Sequence, residues 1–96
     1  MAVLSADELR AGLADLPGWA VEGDAIVRQY TFAGGFMGSI GFVNRLAEAA
    51  EAANHHPDLA ISWNTVTVTL STHSEGGVTR KDLDLAAQAD GLAAQA

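Results

Sequence analysis

The stretch Asn54–His73, NHHPDLAISWNTVTVTLSTH, decides the fold. Val66, Val68 and Leu70 alternate with Thr65, Thr67, Thr69 and Ser71. An extended segment with that pattern has one apolar side and one hydroxyl side, so it is a strand with one buried face. Leu59 to Ser62 reads as a shorter strand before it, and the pattern breaks at Trp63-Asn64, where the chain must reverse. Strands joined that tightly pair antiparallel. Pro57 holds His56 in extended backbone, so the helix upstream must end before it.

That upstream helix is the longest in the chain. From Phe36 to Ala53 the residues Phe36, Ile40, Val43, Ala47 and Ala50, joined by Leu46, recur at helical spacing after Gly34-Gly35. Gly38 and Gly41 each cost roughly 1 kcal/mol against Ala inside a helix, which suits a close backbone approach. Further upstream, Trp19–Val21 and Ala25–Phe32 form a second hairpin about Glu22-Gly23-Asp24. Ile26, Tyr30 and Phe32 share a face with Arg28, which must snorkel or find a carboxylate. At the N-terminal end, Ser5-Ala6-Asp7-Glu8 is a capping box opening a helix from about Ala6 to Ala14, stopped by Pro17-Gly18. Downstream, Thr79-Arg80-Lys81-Asp82 repeats the device with Asp for Glu, opening a last helix to Gly91 or beyond. The order is α-β-β-α-β-β-α. The expected fold is α+β, a four-stranded antiparallel sheet with three helices on one face, in a single domain over residues 1–96.

Bulk composition narrows the function. The chain has 96 residues and is 49% apolar, enough for one modest core. Its side chains are small, so a second subunit is an expected source of further burial. The net charge of -7, with five Lys and Arg, leaves no basic stripe for nucleic acid or anionic membranes. Cysteine is absent, which removes disulfides, thiolate nucleophiles and Cys-ligated zinc. Met1–Arg10 shows no leader pattern and no apolar run reaches membrane length, so a cytoplasmic location is the default expectation.

All three histidines lie between positions 55 and 73. An unperturbed imidazole titrates at about pH 6.5 and can both give and take a proton near neutrality. Each residue also has a purely structural explanation. His55 can favour a helix C-terminus, His56 can serve a turn, and His73 can be a solvated loop residue. Asp82 fits a helix cap, Glu51 a solvated helix face, and Trp63 a core. Zinc is the rival chemistry, since three histidines and a carboxylate can complete a tetrahedral site. Adjacent side chains in an extended segment diverge, however, so His55 and His56 are poor joint ligands. A nucleophile elbow is also missing.

Taken together the spacings are specific. Glu51-Ala-Ala-Asn-His55-His56-Pro57, then Trp63, His73 and Asp82, with Ser71-Thr-His-Ser-Glu-Gly-Gly-Val-Thr-Arg-Lys-Asp-Leu83, resemble the signature of the pterin-4a-carbinolamine dehydratase family. Arg28-x-Tyr30-x-Phe32 and Phe42-Val43-Asn44-Arg45 match it in style. The resemblance implies dehydration of 4a-hydroxytetrahydrobiopterin, or a related pterin, to the quinonoid dihydropterin. It implies no cofactor and no metal, a small-molecule pterin as partner, and subunits joined sheet edge to sheet edge as a homodimer or homotetramer. It assigns catalysis to His55, His56 and His73, with Asp82 supporting His73 and Glu51 as a further acidic position. Asn54, Pro57, Trp63, Ser71 and Thr72 fall at substrate-binding positions. Asn54 and Leu59 depart from animal members, which carry Asp and Trp there. A second reading implied by the family is a catalytically silent dimerisation or assembly cofactor. A silent member would be expected to lose histidines, and this chain keeps all three.

Overall fold

The computed structural model describes residues 2–95. Its elements run α1 (Ala6–Leu13), β1 (Ala20–Glu22), β2 (Ala25–Thr31), α2 (Gly35–Ala53), β3 (Asp58–Ser62), β4 (Thr65–Leu70), a 3-10 turn (His73–Glu75) and α3 (Arg80–Ala93). The four strands form one antiparallel sheet in the order β1-β2-β4-β3. The expected α-β-β-α-β-β-α architecture is therefore the observed one.

The alternation of β4 sets the core. Ile26 stands opposite Leu70, and Tyr30 opposite Val66, so their side chains share one face. Val66, Val68 and Leu70 are fully buried there, each burial being worth about 1.5–3 kcal/mol. Thr65, Thr67 and Thr69 lie on the opposite, half-buried face. Gly23, at φ 62, occupies the tight β1–β2 turn in a conformation side-chain-bearing residues rarely adopt. Both capping boxes form, Ser5 with Glu8 and Thr79 with Asp82.

Arg28 finds its carboxylate on the last helix. Its Nη1 lies 2.9 Å from Asp90 Oδ1, and its guanidinium lies 4.7 Å over the Tyr30 ring. The same Asp90 oxygen accepts from Trp19 Nε1 at 3.0 Å and from the Tyr30 hydroxyl. One carboxylate thus ties β2 and the start of β1 to α3.

The buried stripe of α2 keeps the expected Leu46 and Ala50 but is otherwise shifted. Ser39, Phe42, Leu46 and Ala50 face the sheet, whereas Phe36 is half exposed. The helix has apolar residues on two flanks, and aromatic packing selects between them. Phe42 sits 5.0 Å from the Tyr30 ring and 5.1 Å from Phe32. Gly38 allows that approach, because a Cβ there would meet Phe32 Cβ at 3.0 Å. Ser39 is tolerated in the core because its hydroxyl donates to the Trp63 carbonyl at 2.8 Å. The remaining flank, with Phe36 and Ile40, is left partly exposed. Leu59 and Ile61 point to the same side of the sheet as their partners Val68 and Val66 but stay exposed. Among the described residues no helix is long and apolar enough to cross a membrane.

Candidate active site

The end of α2 creates the site. Asn54 takes the left-handed conformation, φ 50, that lets a helix stop abruptly. Its N–H donates to Glu51 O at 3.1 Å, and the His55 N–H donates to Ala50 O at 3.0 Å. These two bonds close a Schellman turn, and the chain leaves it with His55 directed inward. Pro57 then keeps His56 extended, and β3 begins at Asp58.

His55 is buried, and its Nε2 lies 2.5 Å from Asp82 Oδ1 at the N-terminus of α3. Asp82 has no solvent exposure. Its other oxygen, Oδ2, accepts from Thr72 Oγ1 at 2.8 Å and from the Thr79 backbone N–H at 2.9 Å. The donor order follows. Thr72 has one hydroxyl proton and gives it to Asp82. The Thr79 hydroxyl, 2.8 Å from Thr72 Oγ1, must therefore donate to Thr72. The Lys81 N–H donates to Thr79 Oγ1 in turn. An ionised Asp82 accepts only, so the His55 Nε2 carries hydrogen and Nδ1 is the site that can take a second proton.

The other two imidazoles also have carboxylates nearby, each from a different element. His56 Nε2 lies 2.5 Å from Glu51 Oε1 on the last turn of α2, both side chains being exposed. His73 Nε2 lies 3.8 Å from Asp58 Oδ2 at the start of β3, a charge pairing rather than a hydrogen bond. His73 itself stands in the 3-10 turn that follows β4, closed by a bridge between Thr72 and Gly77.

Six of the expected residues line one cleft of about 350 Å³: Asn54, His55, His56, Ser71, Thr72 and His73. Asp82 lies behind it, bonded to His55. This corrects the expected pairing with His73, whose carboxylate neighbour is Asp58. The reason is topological. Asp82 is the third residue of α3, and the Schellman turn of α2 brings His55 down onto it, while the 3-10 turn carries His73 outward to solvent. Glu51 reaches the site through His56. Pro57 is half-buried beside the cleft without lining it. Trp63 stands apart, at the far end of β3 and 70% exposed. A five-residue strand, about 16 Å at 3.3 Å per residue, separates it from the histidine end. Two lining residues, Ser74 and Lys81, were not expected, nor was Asp58. Lys81 has a sequence signal, since it adjoins Asp82 in the second capping box. Among the described residues no three His, Asp and Glu side chains are grouped to hold one metal ion.

A cleft with three imidazoles, each facing a carboxylate, can deliver one proton while removing another. The comparisons with known proteins identify the family. The family model described as pterin 4 alpha carbinolamine dehydratase matches residues 2–92. A protein of Thermosynechococcus vestitus, provisionally named pterin-4-alpha-carbinolamine dehydratase, is 56% identical over 90 residues, covering 94% of each chain. One of Mycobacteroides abscessus with the same provisional name is 54% identical, covering 94% of this chain and 95% of its own. Among solved structures, the transcriptional coactivator/pterin dehydratase from Brucella melitensis superposes with a TM-score of 0.90 at 39% identity, covering 95% of this chain and 98% of its own. A pterin dehydratase-like protein identified as a RuBisCO assembly factor in the alpha-carboxysome shares the fold, with a TM-score of 0.65 at 20% identity over 78% of this chain and 86% of that one. With identity above half along nearly the whole chain, and the histidine spacing intact within one cleft, the chain belongs to the pterin-4-alpha-carbinolamine dehydratase family.

Proposed function

We propose that this chain, acting as a single domain over residues 1–96, is a hydro-lyase. It converts a 4a-hydroxytetrahydropterin, 4a-hydroxytetrahydrobiopterin or a relative, into the quinonoid dihydropterin and water. The substrate carries OH on C4a and H on the adjacent N5. The C4a–O bond breaks, a proton joins the departing oxygen, the N5 proton leaves, and a C4a–N5 double bond forms. General acid and base assistance of this kind contributes about 10²–10⁴-fold.

The observation that carries the reading is the buried His55–Asp82 pair in a cleft that His56 and His73 also line. His55 is the base: Asp82 fixes its Nε2–H, leaves Nδ1 to accept the N5 proton, and balances the imidazolium that results. His56 and His73 are the acids. Each has a carboxylate nearby, and their exposure lets water restore the proton after each turnover. Asn54, Ser71 and Thr72 supply polar wall to the pterin. Pro57 stiffens the turn, and Trp63 contributes from outside this protomer's cleft or not at all. Neither a cofactor nor a metal enters this scheme.

The decisive experiment generates the carbinolamine chemically and follows quinonoid dihydropterin formation with and without the protein. Acceleration that is lost in His55→Ala and His73→Ala supports the reading. An unaltered rate in the presence of folded protein removes it, and leaves the silent assembly cofactor as the better account. Self-association belongs to the same proposal. Among the described residues the outer edge of β3 is unpaired, and Leu59 and Ile61 on that strand and Phe36 on α2 are exposed. A second copy joined at that edge, as a dimer or within a tetramer, would cover them.

A further inference from the structure

The cleft holds one cation that the dehydration chemistry does not use. Its lining holds one permanent cation, Lys81, together with Ser74, while the carboxylates of Asp82, Glu51 and Asp58 stand against the imidazoles rather than in the lining. Two of the other four cations are spent locally, Arg10 on Asp7 and Arg28 on Asp90, and Arg45 and Arg80 do not line the cleft. Lys81 has no ion pair among the described residues. Nor is Lys81 needed to build the helix start. Its backbone N–H serves the cap by donating to Thr79 Oγ1, which leaves the side chain free to act.

The geometry points to Lys81 as a specificity residue that reads an anionic group, a carboxylate or a phosphate, on the side chain of the pterin. The inference rests on the dehydratase reading of the same cleft. In that reading the reacting edge, C4a and N5, must lie at the imidazoles. C6 is bonded to N5, so a substituent on C6 leaves the ring beside the reacting edge. The exposed residues that share the cleft with the histidines are the ones it meets, and Lys81 and Ser74 are both exposed. An ammonium and a hydroxyl suit an anionic oxygen. An exposed pair of this kind is modest, so the expected preference is about two- to fivefold and falls with salt.

The test compares equilibrium binding of two fluorescent pterins, pterin-6-carboxylate and neutral 6-hydroxymethylpterin, at low and high salt. The full chain, Lys81→Gln and Arg80→Gln are measured side by side. Arg80→Gln removes the same charge one residue away, outside the cleft lining. The carboxylate should bind about two- to fivefold tighter to the unaltered chain and to Arg80→Gln, with a ratio near one in Lys81→Gln. An equal ratio in all three proteins overturns the assignment, as does a ratio lost equally in both variants. Turnover of the 6-methyl carbinolamine, run in parallel, separates the two ideas. Catalysis without any carboxylate preference sinks only the role of Lys81. Absence of both catalysis and pterin binding sinks the dehydratase reading and this inference with it.

Discussion

Asp82 Oδ1 lies 2.5 Å from His55 Nε2, and the other oxygen of the same carboxylate caps the helix on which Asp82 sits. One buried side chain therefore serves folding and the proposed proton transfer at once. Asp82→Asn separates the two duties. The amide oxygen can still accept from the Thr79 N–H, but the NH₂ group then faces His55 and requires a bare Nε2. That moves hydrogen to Nδ1 and removes the proposed base. Turnover should fall by about 10²–10⁴-fold, the scale of a general acid or base, while the melting temperature drops by only a few degrees. Asp82→Ala should instead cost several kcal/mol, because His55, Thr72 and the Thr79 N–H all lose their acceptor. Steady-state kinetics paired with thermal melts would show the difference. Full turnover in a folded Asp82→Asn variant would refute the assignment of His55.

His73 offers the converse case. Its side chain is 77% exposed and its carboxylate neighbour is 3.8 Å away, so the fold depends little on it. His73→Ala should leave stability within about 0.5 kcal/mol of the parent, as for other surface changes. The dehydration rate should still fall by at least tenfold. His55→Ala should lose both activity and stability, the latter by about 3 kcal/mol or more, because it strands a buried carboxylate. Denaturant titration of the two variants checks the contrast, and equal stability losses would contradict it.

Tyr30 is the only tyrosine in the chain, and its hydroxyl donates to Asp90. Burial, then the hydrogen bond and charge of Asp90, push its titration far above the ordinary phenol value. The folded value lies above the unfolded one. The stabilisation is therefore whole below about pH 10 and is lost as the pH rises past it. The tyrosinate absorbance should appear only as the native circular dichroism disappears. Ionisation near pH 10 in a chain that is still folded would rule out the Asp90 network as drawn. Tyr30→Phe should weaken the alkaline dependence of stability.

Asn54 tests how the site is built. A left-handed backbone costs an ordinary residue about 1–2 kcal/mol, Asn less, and Gly nothing steric. Asn54→Gly should keep or raise stability, whereas Asn54→Ala should lower it by about 1 kcal/mol and loosen His55. Amide exchange at the His55 N–H, which bonds to Ala50 O, reports the turn directly. Faster exchange in the Ala variant than in the Gly variant is the expected sign, and equal exchange in both would count against the turn as the positioning device.

Much of this was legible in local sequence because it depends on local chemistry. Both capping boxes, both hairpins and the histidine turn are each written in fewer than fifteen consecutive residues. Failures came where a choice is made by distant partners. The α2 stripe could be read on either flank until Phe42 met Tyr30 and Phe32. The carboxylate for Arg28 sits 62 residues away on α3. Asp82 could have met either His55 or His73, and only the direction of the two turns decides. Trp63 fits the family spacing, yet the extended length of β3 removes it from the cleft of its own chain.

That displacement of Trp63 leads to the last expectation. β3 is exposed along its whole length, and among the described residues it pairs only with β4. Its own Leu59 and Ile61 are 36% and 42% exposed, and Met37 and Trp63 are each 70% exposed. Soluble chains usually blunt such an edge with lysines, proline or a bulge, and between Asp58 and Ser62 there is none of these. Covering by a second copy resolves the conflict. Sedimentation of the parent chain should therefore show an oligomer at micromolar concentration. Ile61→Lys places a charge on the apolar side of that edge and should shift the population toward monomer, with little loss of stability in the isolated fold. A parent chain that sediments as a monomer at every concentration would mean that something other than its own copy covers β3, or that the edge is tolerated bare.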